Sequence, residues 1–128
     1  MKQSEKQIEN DILEYLDRVG FLSWKNQTTG IYDPTKKTFR RKSKYQMNGV
    51  SDILLVIKLH GIAFTVYMEV KAKDGKQTES QKEFQRQIES RNGFYYIVQS
   101  IDDAIDAIDV FKIMASRQIN LAFANMHG

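Results

Sequence analysis

The sequence predicts one α/β domain, in which helices flank a small central sheet of mixed strands. Two patterns lead to this fold class: apolar residues recur at helical spacing in three segments, and they form short runs of strand length in four others. A chain of 128 residues with 41% hydrophobic residues is long enough for one core and too short for two. We therefore expect a single domain over residues 1–128, with its core at about 4–117 and a tail, 118–128, that is either flexible or in a dimer contact.

The first helix and strand are recognisable by their ends. Residues 4–19 predict an amphipathic helix with Ser4 as the N-cap and Gly20 as the stop. Its apolar face contains Ile8, Ile12, Tyr15, Leu16 and Val19. Residues 21–25 predict a strand, and 26–44, which contain two turn signals, predict a loop or an irregular hairpin.

The middle of the chain predicts two paired strands. Residues 50–57 are apolar on both faces after Asp52, which indicates an interior strand, and 62–71 supply the next strand after a turn at 60–61. Paired residue numbers should then sum to about 121, which places Asp52 opposite Glu69.

The last third of the chain predicts helix, strand and helix. Helical spacing over residues 81–91 is ended by Gly93, and 94–99 form a short strand with two apolar faces. Ser100 is placed to cap a final helix that we expect to end near Arg117. Its expected buried face is Ile101, Ala104, Ile105, Ile108 and Phe111. The predicted order is therefore αβββαβ followed by a C-terminal helix.

Composition excludes several classes of protein. The chain has 27% charged residues and no apolar run of about 18 residues, which argues against disorder and against a membrane span. It has no cysteine and two histidines, so disulfides and a structural zinc are not expected. The N-terminus is polar and shows no secretory signal, and together with the lack of cysteine this favours a cytoplasmic protein.

Positive charge is concentrated in one segment although the net charge is only +3. Residues 25–45 hold seven basic side chains against one acid, a local charge of +6. Such a segment beside a candidate site suits a polyanionic backbone, and it equally suits a solvated loop kept soluble by its charges. The candidate DNA-binding residues are Lys36, Lys37, Arg40, Arg41, Lys42 and Lys44.

The predicted pairing of the two central strands assembles a candidate metal site. Two opposed carboxylates, Asp52 and Glu69, repel each other unless a cation lies between them, and Mg²⁺ or Mn²⁺ with oxygen ligands would serve. The Val70 carbonyl is placed to add a third oxygen. Lys71 shares a face with Glu69, where it would orient a water or stabilise the transition state of phosphodiester hydrolysis. Each residue taken alone also suits the exposed face of an ordinary sheet.

Gln81 has two interpretations of equal weight. Thr78 and Gln81 fit a capping box, in which the glutamine side chain bonds back to the amide of the N-cap residue. The functional interpretation places Gln81 on the first turn of a helix that faces the metal, where it would hold a water or a phosphate oxygen.

Two glutamates lie on the apolar face of the first predicted helix. Glu5 and Glu9 fall within the arc of buried residues, and carboxylates on a buried face need a partner. Fraying at the N-terminus or a favourable helix dipole explains Glu5 without any function. The functional hypothesis is that one of the two reaches the metal cluster.

At these residues the chain resembles the PD-(D/E)XK nucleases, and within them the VRR-NUC (virus-type replication-repair nuclease) group. The similarity covers most of the chain, up to about Ile108, through short motifs: Ser4–Ile8, Tyr15–Leu16, Trp24–Gly30, Gly49–Asp52, Glu69–Lys71, Gln81 and Gly93–Phe94. Ser51 stands where the superfamily name has proline.

The resemblance implies a restriction-endonuclease-like core and a set of roles. Asp52, Glu69 and the Val70 main-chain oxygen would bind Mg²⁺ or Mn²⁺, Lys71 would be catalytic and Gln81 would support the site. The resemblance also favours Glu5 over Glu9 as the carboxylate that the first helix contributes.

The resemblance further implies a biological setting. Single-domain members of the group look like phage or bacterial proteins that form homodimers and resolve four-way (Holliday) DNA junctions, here in the cytoplasm of a bacterial or phage-infected cell. The alternatives are a flap, nicking or restriction-type DNA endonuclease, or a catalytically silent DNA-binding module.

Overall fold

The computed structural model describes residues 3–26, 32–33, 35, 38–39 and 47–127. Its elements in chain order are α1 (Glu5–Arg18), β1 (Leu22–Lys25), β2 (Tyr32–Asp33), β3 (Thr38–Phe39), β4 (Ile53–Leu59), β5 (Ile62–Val70), α2 (Glu79–Ser90), β6 (Phe94–Val98) and α3 (Ile101–His127). The predicted order of helices and long strands is confirmed. The small strands β2 and β3 lie within the segment expected to be a loop or an irregular hairpin.

The main sheet has four strands in the order β1-β4-β5-β6. The pairs β1–β4 and β4–β5 are antiparallel, whereas β5–β6 is parallel, so the sheet is mixed as predicted. Strands β2 and β3 pair with each other in a separate two-stranded antiparallel sheet. The six candidate DNA-binding residues, Lys36 to Lys44, lie outside the described residues.

The β4–β5 hairpin has the register that the sequence predicts. Its turn residues, His60 and Gly61, both have positive φ, 52° and 79°, which is the backbone of a two-residue hairpin turn that follows the twist of its strands. Leu59 pairs with Ile62, and the ladder continues to Ile53 opposite Met68. One further step places Asp52 opposite Glu69.

Helices cover the two faces of the sheet unequally. Helices α1 and α3 contact each other and pack on one face, over a core that includes Ile12, Leu16, Ile53, Leu55, Val66, Met68 and Phe111. Helix α2 packs on the opposite face, where the Phe84 ring lies 5.3 Å from the Tyr67 ring and 6.1 Å from the Tyr95 ring. Both tyrosines belong to the side of β5 and β6 that faces away from the main core.

The helix starts are capped as predicted, and the last helix is longer than expected. The Ser4 hydroxyl accepts a hydrogen bond from the Gln7 amide at 3.1 Å, and the Ser100 hydroxyl accepts one from the Asp103 amide at 3.0 Å. Helix α3 continues past Arg117 to His127, because this stretch contains no glycine or proline and is rich in residues with good helix propensity. None of the described helices is both long and apolar enough to cross a membrane.

Candidate active site

Asp52 links the start of β4 to the end of β5. Its Oδ2 accepts a hydrogen bond from the Val70 amide at 2.8 Å, and its main-chain oxygen accepts one from the Asn26 amide at 2.7 Å. The side chain is half-buried, whereas that of Val70 is 1% exposed. Because the donor is the residue that follows Glu69, this hydrogen bond across the hairpin fixes the Asp52 carboxylate beside Glu69.

Glu69 is a buried carboxyl group with one unpaired oxygen. The residue is 1% exposed, its Oε1 accepts a hydrogen bond from Gln81 Nε2 at 2.8 Å, and its Oε2 is buried without a hydrogen-bond partner. Burial first, and then the neighbouring Asp52, raise the pKa of Glu69 to about 8, against a smaller lowering by Lys71. Two carboxyl groups form a hydrogen bond only while one holds a proton, so this pair accommodates either a shared proton or a cation.

Lys71 brings a buried positive charge to the same strand end. The residue is 6% exposed, and its Nζ donates a hydrogen bond to Gln81 Oε1 at 2.8 Å and lies 3.8 Å from Glu69 Oε1. Its amide donates to the Val98 carbonyl at 3.0 Å, which anchors the residue to β6. A buried lysine is stable only with such partners, so its position is set by the carboxyl and amide groups around it.

Gln81 forms the predicted capping box and also contacts two residues of the candidate site, whereas its role towards a water or a phosphate stays a prediction. The Gln81 backbone N–H donates a hydrogen bond to Thr78 Oγ1 at 3.2 Å, and Gln81 Oε1 accepts one from the Thr78 amide at 2.8 Å, which completes the capping box. The same Oε1 accepts from Lys71 Nζ, while Nε2 donates to Glu69. Both partners of Oε1 can only donate, which fixes the orientation of the side-chain amide. Helix capping thus holds Gln81 where it connects Lys71 and Glu69.

Gly49 is a site residue whose role the sequence alone did not reveal. Its φ is +75°, and a Cβ atom there would overlap the backbone of Ser80 and lie 2.7 Å from the Gln81 amide nitrogen. The chain just before Asp52 therefore packs directly against the first turn of α2, which only glycine permits. Ser51, which follows in this segment, is fully buried. The signal in the sequence was the glycine three residues before the carboxylate.

The two glutamates of α1 both lie near the site, in different surroundings. Glu9 is 7% exposed, with its Oε1 3.6 Å from Lys25 Nζ; burial raises its pKa, Lys25 lowers it and Asp52 raises it. Glu5 is exposed, and its Oε1 accepts a hydrogen bond from the Ala72 amide at 3.5 Å. The Glu5 carboxylate also contributes to the raised pKa of Glu69. Lys25, which belongs to the basic segment of the sequence, thus forms an ion pair with α1. That Glu5 is the carboxylate contributed by this helix to the site stays a prediction.

The donor set suits a metal ion that retains water ligands. Across the described residues, no group of three or more histidine, aspartate or glutamate side chains could by itself hold a metal ion. Asp52 and Glu69 supply two carboxylates, and the unpaired Oε2 of Glu69 is a buried acceptor without a donor. Mg²⁺ is commonly bound by one or two carboxylates together with waters and substrate phosphates. The residues present therefore fit an ion of this kind, bound partly by the protein and partly by water and the substrate phosphate.

Comparison with known proteins does not identify a family. The chain matches no protein-family model, no curated protein and no solved structure. The fold is therefore described as a mixed α/β sheet flanked by helices. The restriction-endonuclease-like core and the VRR-NUC resemblance stay predictions that rest on the motifs of the sequence.

Proposed function

We propose that this protein is a Mg²⁺- or Mn²⁺-dependent endodeoxyribonuclease that selects branched DNA, as a Holliday-junction-resolving homodimer. One observation carries the proposal: the buried Glu69, with its unpaired Oε2, lies beside Asp52 and is connected through Gln81 to the buried Lys71. Ordinary sheet surfaces rarely bury a carboxyl group and a lysine beside a second carboxylate at adjacent strand ends, whereas active sites do so regularly.

The proposed reaction is hydrolysis of a phosphodiester. A water oxygen bonds to phosphorus, the bond to the leaving sugar oxygen breaks, and a proton passes to that oxygen. Asp52, Glu69 and the Val70 carbonyl would hold the metal ion, which when bound polarises the phosphate and lowers the pKa of a bound water. Lys71 would donate a hydrogen bond to the phosphate oxygen on which negative charge develops. Gln81 Oε1, which accepts a hydrogen bond from Lys71 Nζ, would hold the lysine in place for this.

DNA binding is proposed from charge. The six basic residues, Lys36 to Lys44, come from the segment that joins β1 to β4, and both of these strands lead to the site: Asn26 bonds to the Asp52 main chain. Contacts from these side chains to phosphates would recognise the shape of DNA rather than its bases. Binding should therefore weaken steeply as salt rises.

A homodimer is proposed because a branched junction must be nicked in two opposed strands, and a two-fold dimer supplies two sites. Exposed apolar side chains along α3 support this proposal. Leu121, Phe123 and Met126 are 64%, 64% and 78% exposed on its last turns, and Ile113 is 56% exposed one turn before Arg117. Such a helix surface is suited to self-association. The location proposed for the protein is the cytoplasm of a bacterial or phage-infected cell.

The decisive experiment is cleavage, in Mn²⁺ and in Mg²⁺, of a panel that contains four-way junction, flap, nicked and linear DNA. Wild-type protein should cut the junction fastest, and Asp52→Asn and Lys71→Ala should lower the rate by about 10²–10³-fold. Asp17→Asn and Lys82→Ala are matched controls at exposed positions of α1 and α2, and both should cut at the wild-type rate.

Other outcomes would assign a different function. Full activity in Asp52→Asn would remove the proposed site altogether. Equal rates on linear duplex and junction would indicate a general endonuclease. Faster cutting of flap or nicked DNA than of the junction would indicate a flap or nicking endonuclease. Binding without cleavage in any divalent ion would indicate a silent DNA-binding module.

A further inference from the structure

Helix α2 covers only half of its face of the sheet. Across the sheet, Trp24 of β1 pairs with Leu54, Leu54 with Tyr67, and Tyr67 with Tyr95. Directly paired side chains lie on the same face, so Trp24 belongs to the face on which Phe84 of α2 packs against Tyr67. Phe84 reaches the two tyrosines, whereas Trp24 at the edge strand remains 44% exposed.

The half of this face that α2 does not cover forms a small apolar surface, which we call the shelf. It consists of Leu22, Trp24, Leu54 and Val56, since Leu22 pairs with Val56 in the next row on the same face. Leu22 is 64% exposed, and Leu54 and Val56 are half-buried. The shelf thus has a flat aromatic ring at its edge and an aliphatic floor.

The shelf adjoins the carboxylate pair. Asp52 lies two residues before Leu54 and Glu69 two residues after Tyr67, so the next row on this face contains the acids. The bond from the Asn26 amide to the Asp52 carbonyl continues the β1–β4 ladder into that row. Two residues of strand advance about 7 Å and neighbouring strands lie about 5 Å apart, which places the Cα atom of Trp24 roughly 9 Å from that of Asp52. One nucleotide, from phosphate to base, can bridge such a distance.

We propose that Trp24 is a stacking platform for an unpaired nucleobase next to the phosphodiester held at Asp52 and Glu69. The inference rests on the proposed function and specifies its substrate: DNA with an unstacked base beside the cleaved bond. Every base presents a π-face to an aromatic ring, but a base within an intact duplex is already covered by its neighbours. Lys71, two residues after Glu69 and therefore on this same face, supplies a positive charge for the neighbouring phosphate.

The chain offers a direct probe, because Trp24 is its single tryptophan. The experiment uses full-length Glu69→Gln protein, which should bind without cutting, and measures intrinsic fluorescence as DNA is added. Duplexes that carry an unpaired bulge or a single-stranded gap should strongly quench the emission, and a blunt duplex of equal length should not. Before DNA is added, Trp24 should be accessible to acrylamide.

Three substitutions separate stacking from simple apolar contact. Trp24→Leu should weaken binding to bulged DNA about tenfold, while Trp24→Phe, which keeps an aromatic face, should stay within about threefold of wild type. Leu22→Ala removes apolar surface from the same shelf without removing a π-face, and its affinity should also stay within about threefold. Equal losses in Trp24→Leu and Leu22→Ala would overturn stacking and indicate a surface for a protein partner.

Failure of the inference and failure of the proposed function give different results. Quenching by bulged DNA without cleavage in any divalent ion would keep the stacking site and remove the nuclease. Junction cleavage at the wild-type rate by Trp24→Leu, with equal quenching by blunt and bulged DNA, would keep the nuclease and remove the stacking site. Emission that acrylamide cannot reach in free protein would also overturn the inference, because the indole would then be covered.

Discussion

Two buried glutamates of this protein each have a lysine nearby, and the two pairs differ in how their lysines are held. In the inner pair, Lys71 Nζ lies 3.8 Å from Glu69 Oε1, and the lysine side chain is 8% exposed. In the outer pair, Lys25 Nζ lies 3.6 Å from Glu9 Oε1, and the lysine side chain is 51% exposed. Similar distances therefore accompany very different solvation.

The difference in solvation separates a candidate active site from an ordinary ion pair. Lys25 is screened by water, so its contact with Glu9 contributes little to stability or electrostatics. Lys71 is removed from water and fixed by Gln81, so its charge acts strongly on any group placed beside it. The Lys71–Glu69 pair, which Gln81 holds in place, is therefore better suited to catalysis than the slightly closer Lys25–Glu9 pair.

The largest predicted difference between the pairs is in activity. Lys71→Ala should lower the rate of junction cleavage by about 10²–10³-fold, because it removes the buried side chain proposed to donate to the phosphate. Lys25→Ala removes a solvent-exposed charge and should lower the rate less than about tenfold at fixed, saturating DNA. Single-turnover kinetics would measure both, and equal losses in the two variants would contradict the distinction.

The next largest effect should come from the contact that positions the inner pair. Gly49→Ala should lower the free energy of unfolding by about 2–4 kcal/mol, because the added Cβ atom overlaps the first turn of α2 and the backbone there has a positive φ. Gly20→Ala is the matched control: its φ is +93°, but no atom lies within 4 Å of an added Cβ. Its cost should be about 1 kcal/mol. Urea unfolding would measure both variants, and equal costs would show that the Gly49 contact is unimportant.

The inner pair should also give a measurable dependence of stability on pH. In metal-free protein the pKa of Glu69 is raised from 4.5 to about 8, so between these values the folded state binds a proton more tightly than the unfolded chain. Stability from this group is therefore complete below pH 4.5 and is lost as pH rises towards 8, by at most about 1.4 kcal/mol per pH unit. Glu69→Gln should remove this loss, whereas Glu83→Gln, at an exposed position of α2, should retain it.

The smallest effect should come from the cap that holds Gln81. Thr78→Ala should cost about 1 kcal/mol of stability and also slow cleavage severalfold, because the capping box places the amide that binds Lys71. Ser4→Ala removes the corresponding cap of α1 and should lose stability alone. Cleavage at the wild-type rate by Thr78→Ala would show that Gln81 keeps its position beside Lys71 without the capping box.

The sequence predicted the backbone of the site well. The turn at His60 and Gly61 fixes the register of β4 and β5 by local chain geometry, and this register brings Asp52 to Val70 and Glu69. Alternation along β5 then places Lys71 beside Glu69. Such short-range rules require no knowledge of which helix covers the sheet.

The contacts that depend on helix packing were harder to predict. For Gln81, helix capping and a place in the site were left as alternatives. Spacing alone does not show that one side-chain amide can bond both to the N-cap residue and to Glu69. The packing of Gly49 on α2 and the pairing of Glu9 with Lys25 depend on where α2 and α1 lie over the sheet. The length of α3 was underestimated because helix propensity, and not a regular apolar pattern, continues it to His127.

The most direct test of the account is cleavage of a four-way junction by Glu69→Gln and Glu9→Gln, each with and without Mn²⁺. Both substitutions replace a buried carboxyl group by an amide of similar size, so they compare the two pairs on equal terms. Wild type and Glu9→Gln should cut only when Mn²⁺ is present, at rates within about tenfold of each other, and Glu69→Gln should show no cleavage above background. Cleavage by Glu69→Gln at the wild-type rate would contradict the central claim that the Asp52–Glu69 pair forms the active site.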